Sequence, residues 1–169
     1  RMPATPAIKT LRDIQLIEQT PLAERDLPAS TYELISRTAA RQPDAPALSF
    51  ILQGTADEAA YRLSYRQLLG KITQTANAFH RLGIDKNQTV SFLLPNLPHT
   101  HYTIWGGEAA GIVNAINPLL DAEHILELIK ASQSEVLVTL APFPGTELWD
   151  KVATLREQLS HLKAIIVVD

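Results

Sequence analysis

Four short apolar runs decide the fold class: "TVSFLL" at 89–94, "GIVNAI" at 111–116, "EVLVTL" at 135–140 and "KAIIVVD" at 163–169. A strand with one wet face alternates apolar and polar residues. Unbroken runs such as "VLV" and "AIIVV" belong to strands covered on both faces. Segments with helical spacing separate the runs, so the strands are parallel and joined by right-handed helical crossovers. The expected architecture is α/β: a doubly wound, mostly parallel sheet of four or five strands. Upstream, "PALSFIL" at 46–52 and "AYRLSY" at 60–65 read as an antiparallel hairpin near its start. The polar loop between them contains Asp57-Glu58, read as a solvated turn.

Residues 1–29, punctuated by Pro3, Pro6, Pro21 and Pro28, read as an arm, and 30–169 as the α/β unit. Within the arm Thr10 and Asp13 can cap a short helix. Ser30 with Glu33, and Ser64 with Gln67, repeat the capping-box pattern at two later helix starts. Tyr65, Leu68, Leu69, Ile72, Ala76, Phe79 and Leu82 form one helical face that Gly83 closes. Asp121 starts a helix with Ala122, Ile125, Leu128 and Ile129 on one face, and "GTELWDKVATLREQLS" at 145–160 reads as another. The helix from Leu97 to Ala110 carries Gly106 and Gly107, each costing roughly 1 kcal/mol of helix propensity. Packing must compensate, so close approach is expected there. Gly107 and Gly111 share a face if the helix reaches that far.

Composition removes several classes of function. The chain has 169 residues with 15 Lys and Arg against 18 Asp and Glu, a net charge of −3. A nucleic-acid binder would show a basic stripe instead. There is no cysteine, hence no disulfide framework or thiolate chemistry. No apolar run approaches the roughly 18 residues of a spanning helix. The start "RMPATPAIKT" is too polar for a secretion signal. The expected location is the cytoplasm, peripheral association with a membrane included.

Chemistry is harder to find. None of the seven glycines builds G-x-G-x-x-G or a P-loop, and no G-x-S-x-G elbow occurs. His99 and His101, two apart at a helix start, point away from each other. They read as a polar helix entry, while His80, His124 and His161 read as solvated. Trp105 and Trp149 read as core anchors. "PFPGTE" at 142–147 follows a strand and precedes a helix. That is where doubly wound folds bind ligands, but Pro144-Gly145 followed by Thr146 as a helix cap explains the loop with no ligand at all, and that reading is preferred. Asn117-Pro118 ends a strand at the same edge, and Asn117 also reads as a simple turn former.

Three stretches carry a resemblance. "LSYRQL" at 63–68, opening a helix that ends "FHRLGI", resembles the first core motif of adenylate-forming enzymes. "VSFLLPNLPHTHYTIWGGEAAGIVNAINPLL" at 90–120 resembles the segment leading through their second motif. "RQPDAPAL" at 41–48 resembles the stretch before their first strands. From about residue 28 onward the chain resembles the amino-terminal portion of an acyl-CoA synthetase of the AMP-binding superfamily, most like bacterial fatty-acyl-CoA synthetases. The resemblance implies ATP, Mg and CoA as cofactors of the whole enzyme, which converts a fatty acid to an acyl-adenylate and then a thioester. It places Asn117 and Pro118 on a substrate-side loop, and Pro144, Gly145 and Lys151 on a CoA-side loop. In acetyl-CoA synthetases the loop matching "APFPG" carries arginines for the CoA phosphates; here Lys151 is the nearest cation. The family's Ser/Thr/Gly-rich phosphate loop and its catalytic lysine are absent from this sequence. The chain is therefore expected to be an inactive fragment that binds no cofactor alone and self-associates through uncovered apolar surface. The alternatives are a free-standing, non-catalytic α/β interaction domain, or a small nucleotide-binding enzyme with an unrecognised loop.

Overall fold

The computed structural model describes residues 7–169; Pro3 and Pro6 of the arm lie outside them. Helix α1 (Leu11–Glu18) is capped as its sequence predicts: Thr10 Oγ1 accepts from the Asp13 amide, and the Asp13 carboxylate accepts from the Thr10 amide. None of its residues is buried. Arg25 donates to the Ile17 and Thr20 carbonyls at the end of α1, ahead of α2 (Thr31–Arg41). Ser30 caps α2 through the Glu33 amide, but the Glu33 carboxylate takes the Ala29 amide instead of completing the predicted box.

Strands β1 (Pro46–Phe50) and β2 (Tyr61–Ser64) form the expected antiparallel hairpin. Both halves of the Ser64–Gln67 box are made at the start of α3 (Tyr65–Arg81), which buries Leu68, Ile72, Ala76 and Phe79. The remaining elements alternate: β3 (Thr89–Leu93), α4 (Pro98–Ala110), β4 (Ile112–Ala115), α5 (Ala122–Ala131), β5 (Ser134–Leu140), α6 (Leu148–Leu155) and β6 (Ala164–Val168). The second sheet is parallel in the order β4-β3-β5-β6, so the doubly wound expectation holds with four parallel strands. Strand β3 is buried throughout and β5 nearly so, as central strands must be. Edge strand β4 is not, which is why Ile112 faces solvent.

Two apolar clusters hold the layers together. The larger lies under both faces of the parallel sheet and includes Phe79, Val90, Leu93, Ile125, Ile129, Val136 and Val152. The smaller joins the hairpin to α2, α3 and α4 through Leu63, Leu68, Ile72 and Tyr102. Inside the sheet Asn114 Nδ2 donates to Ser91 Oγ (2.8 Å) and Ser132 Oγ (3.2 Å), and both hydroxyls bond to Ser134. This closed polar ring ties β4, β3 and the start of β5 together without leaving its buried hydroxyls unpaired.

Several expectations fail locally. Helix α6 stops at Leu155 rather than Ser160, and the chain continues in irregular turns that still bury Leu159. The sequence pattern recorded that burial, not a helix. On α5 the third core residue is Leu126, not Leu128, which is exposed. Trp105 and Trp149 are only half-buried. Helix α4 begins at Pro98 and ends at Ala110, so Gly111 lies beyond its face. The close approach is nonetheless real. A Cβ on Gly106 would sit 2.7 Å from Thr75 Cβ on α3, and one on Gly107 would run into Val113 of β4. At Gly111 it would meet the Asp85 and Gln88 carbonyls.

Candidate functional site

Strand order fixes where a ligand can sit. From β3 the chain moves one way, to β4; from β5 it moves the other way, to β6. The carboxyl ends of the adjacent β3 and β5 therefore form the topological switch point, the crevice where open α/β sheets bind ligands. Right-handed crossovers put α4 on one face and α5 and α6 on the other. A cleft of about 1710 Å³ opens at this edge.

Each strand exit contributes a wall. After β3, Pro95-Asn96 leads into α4, whose start is held by Thr100 Oγ1: it accepts from the Leu97 amide and donates to the Pro95 carbonyl. After β4, the Ile116 amide extends the ladder to Phe92 before Asn117-Pro118 breaks it. Asn117 Oδ1 then accepts from the Leu119 amide at 3.0 Å, the turn-forming role its sequence position allows. After β5, the Ala141 amide bonds to the Val168 carbonyl, and the loop turns at Gly145 with φ +85°. Thr146 Oγ1 accepts from the Leu148 amide at the entrance to α6.

Pro118, Pro144, Gly145 and Lys151 all line this cleft; Asn117 does not. Lys151, on α6, reaches across to the turn after β4. Its ammonium donates to the Pro118 carbonyl (3.2 Å) and the Leu120 carbonyl (2.8 Å). Two carbonyls flanking Leu119 are thus clamped, and Leu119 itself projects 87% exposed at the cleft wall. Phe143 is exposed on the facing loop.

The other wall comes from the hairpin and from α3 and α4: Ile51, Leu52, Tyr61, Lys71, His99 and Tyr102. Glu58, read from sequence as part of a solvated turn, instead gathers the amides of Leu52, Gln53 and Gly54 at 2.6–2.8 Å and shapes the hairpin end. Burial opposes ionisation of its carboxyl, but the backbone amides outweigh it and hold the pKa below the ordinary value. Nothing in "ADEAA" marked Glu58 over Asp57 for this. His99 and His101 do point apart: His99 stands edge-on to Tyr102 and His101 lies over Trp105. Burial lowers both imidazole pKa values, and Lys71 lowers that of His99 further.

The donor set does not by itself make a nucleotide site. Among the described residues no glycine-rich loop faces the cleft, and Lys151 directs two of its three N–H bonds at backbone carbonyls. Among the described residues no group of three His, Asp or Glu is placed to hold a metal ion. No helix among them is long and apolar enough to cross a membrane.

A parallel sheet with a switch-point cleft, preceded by a hairpin on α3 and α4, defines the class as a doubly wound α/β unit. The chain belongs to the AMP-binding enzyme family, whose model matches residues 35–169. It is 31% identical to the marinolic acid–CoA ligase of Pseudoalteromonas sp. over 99% of this chain and 26% of that protein. It is 32% identical to the long-chain-fatty-acid–CoA ligase of Bacillus subtilis over 69% of this chain and 20% of that protein. The anthranilate CoA ligase AuaEII, solved with anthranoyl-AMP, shares the fold at a TM-score of 0.72 and 19% identity, over 88% of this chain and 27% of that one. The fatty acyl CoA synthetase of Mycobacterium tuberculosis does so at 0.68 and 21%, over 82% of this chain and 26% of that one. The resemblance to adenylate-forming acyl-CoA synthetases therefore holds. The chain spans about a quarter of the length of the relative that it matches end to end.

Proposed function

We propose that this chain is the amino-terminal portion of an ATP-dependent acyl-CoA synthetase acting on a fatty acid, with residues 30–169 an incomplete α/β subdomain and 1–29 its arm. The family match across 35–169 carries the reading; the long-chain-fatty-acid ligase among the relatives supports the substrate class. In the whole enzyme ATP and Mg would supply the adenylate chemistry and CoA the accepting thiol. This chain contributes the sheet edge, the turn after β4 with Pro118 and Leu119 as a substrate-side wall, and the Pro144–Gly145 loop with Lys151 as a CoA-side wall. Lys151 acts here by holding the turn, since its ammonium is engaged by the Pro118 and Leu120 carbonyls. The location consistent with this role is the cytoplasm, at a membrane surface or free of it.

Stabilising the α-phosphate as an adenylyl group is transferred requires preorganised cations and amide donors; of the two lysines lining the cleft, Lys151 is engaged by backbone carbonyls, and no glycine-rich loop among the described residues sets amides beside Lys71. The chain alone is therefore inactive. A pyrophosphate-release assay with ATP and a fatty acid tests this: the 169-residue chain should give no release. A longer polypeptide containing it should give release that depends on the fatty acid. Acyl-adenylate formed by the short chain would overturn the fragment reading, and release from the longer one only with aromatic acids would overturn the substrate class. A free-standing interaction domain gains no support from relatives that are CoA ligases.

A further inference from the structure

Two charged side chains spend themselves on the backbone of the cleft walls. On the hairpin wall, Glu58 accepts from the amides of Leu52, Gln53 and Gly54, successive residues past the end of β1. Gly54, at φ +73°, lets these amides converge on one carboxylate, as in an anion-binding nest. On the other wall, the Lys151 ammonium donates to the Pro118 and Leu120 carbonyls, past the end of β4. Neither Glu58 nor Lys151 forms an ion pair among the described residues. Each grips a segment that lies outside helix and strand. Each gripped segment presents an exposed leucine at the cleft: Leu52 on one wall and Leu119 on the other.

Hydrogen bonds to a charged group are roughly twice as strong as neutral ones. At the hairpin tip that strength covers no core, because residues 51–57 are all exposed. Segments with few buried contacts open locally at little cost unless something ties them. Glu58 therefore fixes the shape of a surface and not of the interior. Asp57, its neighbour, takes none of these amides. We propose that Glu58 and Lys151 are a pair of positioning residues that set the width of the cleft mouth, acting on a reactant only through Leu52 and Leu119. The clamps stand on geometry alone; only the naming of what passes between them rests on the acyl-CoA synthetase reading.

The chain has no cysteine, so Leu52→Cys with Leu119→Cys places spin labels at these two positions and nowhere else. Electron–electron distances across the mouth of the labelled 169-residue chain should form one narrow distribution. Glu58→Gln and Lys151→Met, each measured well below its own melting temperature, should lose that narrow peak. Asp57→Asn should keep it. Glu58→Gln should also melt with the parent, because the amides that it releases belong to exposed residues. In a longer polypeptide that contains the chain and releases pyrophosphate with a fatty acid, both variants should raise the KM of the fatty acid or of CoA more than they lower kcat. The proposal is overturned if either variant keeps the parent distribution, if Asp57→Asn broadens it as much, if Glu58→Gln melts lower, or if kcat falls while both KM values stay. A longer polypeptide that releases no pyrophosphate counts against the synthetase reading, and the distances alone then decide whether the clamps set the mouth.

Discussion

Lys151 Nζ lies 2.8 Å from the Leu120 carbonyl across 31 residues of chain, and the same ammonium donates to the Pro118 carbonyl. One side chain on α6 thereby sets the turn after β4. Lys151→Met keeps the aliphatic stem and deletes both bonds. Bonds to a charged donor contribute about 1.5–3 kcal/mol, so a loss of about 2 kcal/mol is expected in denaturant unfolding. Hydrogen exchange should quicken at Leu119 and Leu120 more than in β3. Unchanged stability and exchange would show that water replaces the ammonium at no cost.

The glycines of the α4 region should rank by what a new methyl meets. At Gly107 it meets the Val113 side chain on edge strand β4, which can yield. At Gly111 it meets the Asp85 and Gln88 carbonyls, which cannot move without dragging the loop that leads into β3. Overpacking costs about 1–3 kcal/mol. Gly107→Ala should fall near the lower figure, Gly107→Leu higher, and Gly111→Ala near the upper one. Equal melting temperatures for Gly111→Ala and the parent would mean that the contact relaxes freely. Backbone φ at Gly111 is extended, so crowding and not conformation makes glycine necessary there.

The histidines should titrate apart. Burial pulls His99 and His101 below the ordinary value of 6.5, while the bond to Asp121 lifts His124 above it. For the first two the unfolded chain binds more protons, so their contribution to stability falls as pH drops below 6.5 toward the folded values. His124 runs the other way: its contribution is full below 6.5 and is lost as pH rises through its folded pKa. An NMR pH titration reads the midpoints directly. A His124 midpoint at or below that of His99 would contradict both environments.

How much of this was visible in the sequence follows the range of the interactions. The Ser64–Gln67 box, the Asp121 cap and the apolar runs of β3 and β5 are local, and all appear in the structure as read. The loss of regularity after Leu155 was not legible, because Leu159 keeps the apolar spacing while the backbone leaves the helix. The Lys151 clamp links residues on different elements, and no spacing rule connects them. Pro144 and Gly145 were flagged by the strand-end rule and do line the cleft. Glu58 carried no signal at all, since the amides of Leu52, Gln53 and Gly54 gather on its carboxylate only once the hairpin end has folded.

Self-association should follow from two uncovered features. The outer edge of β6 carries unpaired backbone groups, and Val167 on it is 42% exposed beside a small groove formed with Trp149 and Val152. Such an edge templates pairing with another strand. The arm is the second feature: α1 buries no residue, and Ile8, Leu11, Ile14 and Leu16 are all exposed. Exposed apolar side chains of this kind can find a partner, and a net charge of −3 opposes association only weakly. Lys or Pro on an edge strand would block pairing, but "AIIVV" has neither. Light scattering over a concentration series should show mass rising above 18.6 kDa. Val167→Lys should reduce the rise if the edge pairs, and deletion of residues 1–29 should reduce it if the arm exchanges. A constant 18.6 kDa at high concentration, with no dye binding to apolar surface, would mean that neither feature is sticky and that the chain covers its own core.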